Sequence, residues 1–244
     1  VFEPLPGPAR KVALVVGGYS PVGRILCERL ITDGFTTAVA GSTTDVARMY
    51  GEALAGDQPR VLPYVADLAE RGSVDRAVED VLADLGRIDV VVGLASAGAG
   101  PAATGSGATD SDVTGADATG SDPTGPAATG FDMGETHLPE LTGMYRLGQA
   151  AVRAMPVPAR PGRIVLLATP THRQGVWWPA GAVLAAGTSS LVAGWSALLP
   201  PDGTTVNAVV PGRDAAPDAV AAAILLLLRP DAHGITGQSV HVRG

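Results

Sequence analysis

The residues with the strongest claim to chemistry form the turn Gly17-Gly18-Tyr19-Ser20-Pro21-Val22-Gly23. It follows the apolar run KVALVV of residues 11–16, and Ser20-Pro21 is a good helix opening, with serine as N-cap and proline in the first turn. A glycine-rich turn between a strand and a helix can hold the pyrophosphate of a dinucleotide. Bare backbone lets the phosphates approach, and the helix N-terminus favours an anion. Gly17 and Gly23 hold the outer glycine positions, and either Ser20 or Pro21 stands where the middle glycine would be. Proline has no N–H to offer a phosphate, and its ring adds bulk. After the next apolar run the sequence reads Ala40-Gly41-Ser42-Thr43, with no Asp or Glu to grip a ribose 2′-hydroxyl; Arg48 is the nearest arginine for a 2′-phosphate. Two readings stand: a surviving NADP site, or a structural turn that no longer binds tightly. The second is the expectation, so that any cofactor site is weak or vestigial.

Other chemistries find little support. Cys27 is the single cysteine, which leaves no disulfide framework and no cysteine cluster for metal. His137, His172, His233 and His241 are widely spaced, and none pairs with another at helical ligand spacing. Glu140 with His172 is a conceivable acid/base pair, though isolated His and Glu residues are more often structural or solvated. The formal charge is −7, without a block of like charge, which argues against nucleic acid or an anionic membrane as a partner. The opening VFEPLPGPARK has no basic start followed by an apolar run, and the run from Ala219 to Leu228 is too short to cross a bilayer. A cytoplasmic location is the expectation.

The elements that would position these groups alternate in type. Strands are expected at 11–16, Phe35–Ala40, Val61–Val65 and Ile88–Leu94. Helices are expected after Ser20, at Val46–Leu54, and at Ser73–Leu85, where apolar residues recur at 74, 77, 78, 81, 82 and 85. The rhythm resumes with a helix at Leu141–Met155, a strand at Arg163–Ala168, a helix at Ala182–Leu199 and a strand at Thr205–Val210. A helix at Pro217–Leu228 and a strand at Ser239–Val242 close it. This alternation predicts an α/β fold, a Rossmann-like doubly wound parallel sheet with helices on both faces. Residues 1–10 read as an N-terminal arm and 11–244 as one domain. Residues 99–130 are nearly all Gly, Ala, Thr, Ser, Asp and Pro, with Thr-Gly recurring at 114, 119, 124 and 129. With almost nothing large and apolar to bury, they are expected to form a flexible, disordered insert; the alternative is a lid over a site.

These pieces, in this order, resemble the classical short-chain dehydrogenases/reductases: GGYSPVG, Asp67-Leu68, GRIDVVVGLASAG, LTGMYRLGQAAVRAM, GRIVLLAT, VNAVVPG and ITGQSVHVRG. The resemblance runs from Lys11 to Gly244 apart from the insert. It implies a dinucleotide held by Gly17, Ser20, Gly23 and, near the adenine, Asp67. It also implies hydride transfer between nicotinamide and a carbonyl or alcohol, which needs a positioned acid/base because the oxygen exchanges a proton in the same step. In the family a tyrosine does this, a lysine four residues on lowers its pKa, a serine holds the carbonyl and an asparagine supports a proton relay. Carried over position by position, the serine falls on Thr169, the tyrosine on Leu184, the lysine on Thr188 and the asparagine on Glu140. Two further asparagines that brace the cofactor loop fall on Gly93 and Leu94.

No shifted alignment restores the pair. The tyrosines are Tyr19, Tyr50, Tyr64 and Tyr145, none with lysine four places later, and the only lysine is Lys11. The resemblance further implies that the helices near 141–155 and 183–199 form the main subunit interface, and residues 183–199 are apolar or small nearly all round. The expectation is a pseudoenzyme: a non-catalytic subunit that pairs with a catalytically intact homologue in a heterotetramer. More narrowly, the chain resembles the silent partners in paired dehydrogenases of aminocoumarin antibiotic pathways. Those pairs oxidise a carrier-tethered β-hydroxytyrosine to its β-keto form with NADP. Two alternatives stand beside this: an active NADP-dependent reductase with atypical acid/base groups, and a sensor that binds a dinucleotide without reacting.

Overall fold

Short β-branched runs form the strands, and each is buried along its length where it crosses the middle of the sheet. The computed structural model describes residues 10–43, 61–94, 137–155, 161–168, 172–173, 176–177, 179–199 and 203–244. In chain order these form β1 (Val12–Val16), α1 (Pro21–Thr32), β2 (Thr36–Gly41), β3 (Val61–Val65), α2 (Ser73–Leu85), β4 (Val90–Leu94) and α3 (His137–Ala154). There follow β5 (Arg163–Leu167), β6 (His172–Arg173), β7 (Val176–Trp177), α4 (Pro179–Leu198), β8 (Thr205–Pro211), α5 (Pro217–Leu228) and β9 (Ser239–Val242). The helix expected at Val46–Leu54, the N-terminal arm at residues 1–9 and the insert at 99–130 lie outside the described residues.

Local chemistry sets the helix ends. Ser20 is the N-cap of α1, its Oγ accepting the Gly23 N–H at 3.1 Å, with Pro21 at the first helical position. Helix α2 lies between Gly72 and Gly86, both left-handed at φ +79° and +72°. Gly86 closes the helix by donating its N–H to the Leu82 carbonyl.

Seven strands make one parallel sheet in the order β3-β2-β1-β4-β5-β8-β9. The chain winds outward from β1 to β3, then returns to β4 on the other side of β1. The order therefore reverses between β1 and β4, and in open α/β sheets a ligand crevice opens at such a point, beyond the carboxyl ends of the strands.

Alternation of side chains splits the core in two. Val12, Leu14 and Val16 of β1 face a layer of α2, α3 and α4, represented by Val78, Leu147 and Val192. Ala13 and Val15 face α1 and α5 through Leu26, Leu30, Ile224 and Leu227. This is the doubly wound architecture expected.

Three details differ from the sequence expectation. Helix α3 begins at His137 and α4 at Pro179, each a few residues earlier than apolar periodicity suggests. Residues 172–177 contribute an antiparallel pair, β6 with β7. Finally, α4 contains an 18-residue apolar stretch, Gly181–Leu198, that by length and composition could cross a membrane, longer than the run from Ala219 to Leu228. In this fold it packs on β8 and α3 as part of one layer.

Candidate functional site

The β1–α1 turn is held by the protein's own packing. Gly17 has φ +80°, and a Cβ on it would lie 2.6 Å from the Leu94 carbonyl oxygen of neighbouring β4. Its N–H donates to the Ala40 carbonyl at 2.8 Å, and its own carbonyl accepts the Ser20 N–H at 3.2 Å. A Cβ on Gly23 would come within 2.6 Å of the Gly18 backbone, so α1 sits directly on the turn it leaves. Pro21 is exposed at the mouth of that turn.

Asp67 follows β3, beside the same strand ends. Its N–H donates to Ser73 Oγ at 3.1 Å, and its Oδ1 accepts the Ala69 N–H at 2.8 Å. One carboxylate oxygen thus closes a local turn.

Gly93 and Leu94 end β4 in apolar surroundings. A Cβ on Gly93 would meet Leu147 Cδ2 at 2.7 Å and both Leu166 Cδ2 and Met144 Sδ at 3.0 Å. An asparagine does not fit there without repacking, and Leu94 is itself buried in the α1/α5 layer. Reading the strand as sequence does not reach this. The one signal is a glycine inside a β-branched run, which often marks close approach of a neighbour.

Helices α3 and α4 carry the remaining positions. Glu140 lies in the first turns of α3 and is 9% exposed. The adjacent Leu141 reaches across to Gly187, where a Cβ would stand 2.8 Å from Leu141 Cδ2. This contact brings the 140–141 turn of α3 against the part of α4 that carries Leu184 and Thr188. Leu184 is 1% exposed and Thr188 is buried as well. Next to Leu184, Ala185 packs with Ala168 and Val210 over the ends of β5 and β8. Leucine has no proton to exchange, and threonine carries no charge. Thr169 lies outside the described residues, as does the side chain of His172, so the Glu140–His172 pair is untested by geometry. Lys11 stands at the start of β1, at the opposite end of that strand from Gly17.

The one thiol offers no alternative nucleophile. Burial, aided by Glu28, pushes the Cys27 pKa up to about 12, so it stays protonated near neutral pH.

Comparison with known proteins agrees with this architecture. Residues 11–116 match the model of the short chain dehydrogenase family. The D-threitol dehydrogenase of Mycolicibacterium smegmatis is 33% identical over 85 residues, which cover 35% of this chain and only 33% of that protein. A protein named as ketoacyl reductase 2 of the granaticin polyketide synthase, from Streptomyces violaceoruber, is 34% identical over 87 residues, covering 35% of this chain and 33% of that protein. The short-chain dehydrogenase/reductase eriH of Hericium erinaceus is 25% identical over 217 residues, covering 86% and 76%. The solved structure of the citronellol catabolism dehydrogenase of Pseudomonas aeruginosa superposes with a TM-score of 0.71 at 22% identity, covering 96% of this chain and 93% of that one. The chain has the short-chain dehydrogenase/reductase fold.

Proteins of the short-chain dehydrogenase/reductase family typically bind NAD or NADP. The residues of this chain meet that group only in part. Gly17 and Gly23 give the turn its shape, but Ser20 or the exposed Pro21 stands where the backbone should come close to the pyrophosphate. Leu94 at the end of β4 and Leu184 in α4 are both buried, at 1% exposure. The turn does not fit a dinucleotide.

Proposed function

We propose that this chain is the non-catalytic subunit of a heteromeric NADP-dependent short-chain dehydrogenase/reductase, paired with a catalytically intact homologue in a heterotetramer. The observation that carries the reading is Leu184. It is buried to 1% exposure where relatives place the proton donor, and no tyrosine in the chain has a lysine four residues on. Hydride transfer to a carbonyl strands a negative oxygen unless a proton arrives with it. The proton transfer in the complex therefore belongs to the partner.

The surface supports a partner role. On α3 and α4, Leu138, Tyr145, Val183 and Leu198 are exposed, and Leu198 reaches 83%. Fully burying one such side chain contributes about 1.5–3 kcal/mol, so covering this face favours association. Beneath it Trp195 stacks on Tyr145 with ring centroids 5.8 Å apart, a firm aromatic floor. On the far side, β9 is the outer strand of the sheet and Leu226 of α5 is half exposed, a second face for a four-chain assembly.

The pathway assignment is antibiotic biosynthesis, with a carrier-tethered β-hydroxytyrosine oxidised to its β-keto form. It rests on the resemblance to paired dehydrogenases and agrees with the partial likeness to a protein named for a polyketide synthase.

Co-expression with the intact homologue followed by size exclusion tests the assembly. The expected result is a co-eluting complex that Leu198→Glu breaks while the isolated variant keeps its stability within about 0.5 kcal/mol. A chain that remains a homo-oligomer in the presence of its homologue contradicts it.

A further inference from the structure

We propose that the glycine turn of this chain is closed to dinucleotides, so that a complex with the intact homologue holds one dinucleotide for every two chains. The stoichiometry rests on the proposed pairing; the closure concerns this chain alone.

The three glycine positions of such a turn have different work. The first allows the tight turn, the third lets the helix pack on the strand, and the second lets the pyrophosphate reach the backbone. Here the first and third are kept, and the fold itself demands them. A side chain at Gly17 would strike Leu94 at 2.6 Å, and one at Gly23 would strike Gly18 at 2.6 Å. The second position has no such internal demand. Neither residue that can stand there offers a free donor: the Ser20 N–H goes to the Gly17 carbonyl at 3.2 Å, and Pro21, exposed beside it, has no N–H and adds the bulk of its ring. A fold that has only to stand up keeps the outer glycines and is indifferent to the middle one.

Two neighbouring polar atoms already have partners within the chain. The Gly23 N–H is taken by Ser20 Oγ at 3.1 Å. Asp67 Oδ1 is taken by the Ala69 N–H at 2.8 Å. From below, Leu94 packs against the turn, its Cβ 3.1 Å from where a Gly17 Cβ would be. Phosphate oxygens stripped of water need donors, and the N–H groups of Gly17, Ser20 and Gly23 already donate within the chain.

Calorimetric titration of the full chain with NADPH, and separately with NADH, tests the closure. No saturation below about 1 mM is expected, whereas family cofactors are ordinarily held far more tightly. Pro21→Gly is expected to tighten NADPH binding at least about tenfold, about 1.4 kcal/mol. Circular dichroism confirms that the variant is folded. In the purified complex, counting released nucleotide should give one per pair of chains. Saturable binding by the unaltered chain below about 1 mM, an unchanged titration for Pro21→Gly, or two nucleotides per pair overturns the proposal. None of those results touches the non-catalytic reading, which falls only to turnover by the isolated chain.

Discussion

Leu184 and Thr188 are both buried, and Ala185 beside them packs over the ends of β5 and β8. Restoring the family pair should therefore cost stability. Leu184→Tyr adds a hydroxyl, and Thr188→Lys an ammonium, at positions that are 1% and 3% exposed, and both side chains are larger than the ones they replace. The double variant is expected to lose about 3 kcal/mol or more in urea denaturation and to gain no turnover. A stable double variant that turns over a ketone would show that the pocket still accepts the catalytic pair. At this scale the sequence is legible by counting: one lysine, four tyrosines and no suitable spacing between them. It is not legible where packing decides. Neither the three side chains pressed against Gly93 nor the closure of Asp67 onto Ala69 follows from residue type alone.

Among elements, those with strong periodicity are read well. Helix α2 occupies Ser73–Leu85 as its apolar spacing requires, with a glycine at each end. Helices α3 and α4 begin early because Leu138-Pro139 and Pro179 open them, and proline is at home in a first turn although periodicity gives it no weight. The pairing of β6 with β7 covers two residues on each strand, below what alternation can reveal. The junction of α3 and α4 carries its own prediction. A Cβ on Gly148 would lie 1.9 Å from Trp195 Cη2, so only glycine lets the indole lie across α3. Gly148→Ala should displace Trp195 from its stack with Tyr145 at a cost of about 2 kcal/mol, read by urea denaturation together with tryptophan fluorescence. An alanine variant with unchanged stability and emission would mean that the two helices do not pack this closely.

The described residues form a doubly wound sheet with helices on both faces. The parallel sheet and its two apolar layers follow from strand–helix alternation with right-handed crossovers. The order of strands within the sheet is a tertiary fact that alternation does not supply. What this scaffold offers is surface: exposed apolar side chains on α3 and α4 and an outer strand, β9. The account stands or falls on whether the isolated chain can move a hydride. The direct measurement is steady-state oxidation and reduction by the purified chain, with NADP and NADPH, over a panel of ketones and β-hydroxyacyl substrates, alone and mixed with the intact homologue. The account predicts no turnover above the enzyme-free rate for the chain alone, and activity that appears only with the homologue. Substrate-dependent turnover by the chain alone at about 1 s⁻¹ or faster, within the ordinary enzymatic range, would contradict it.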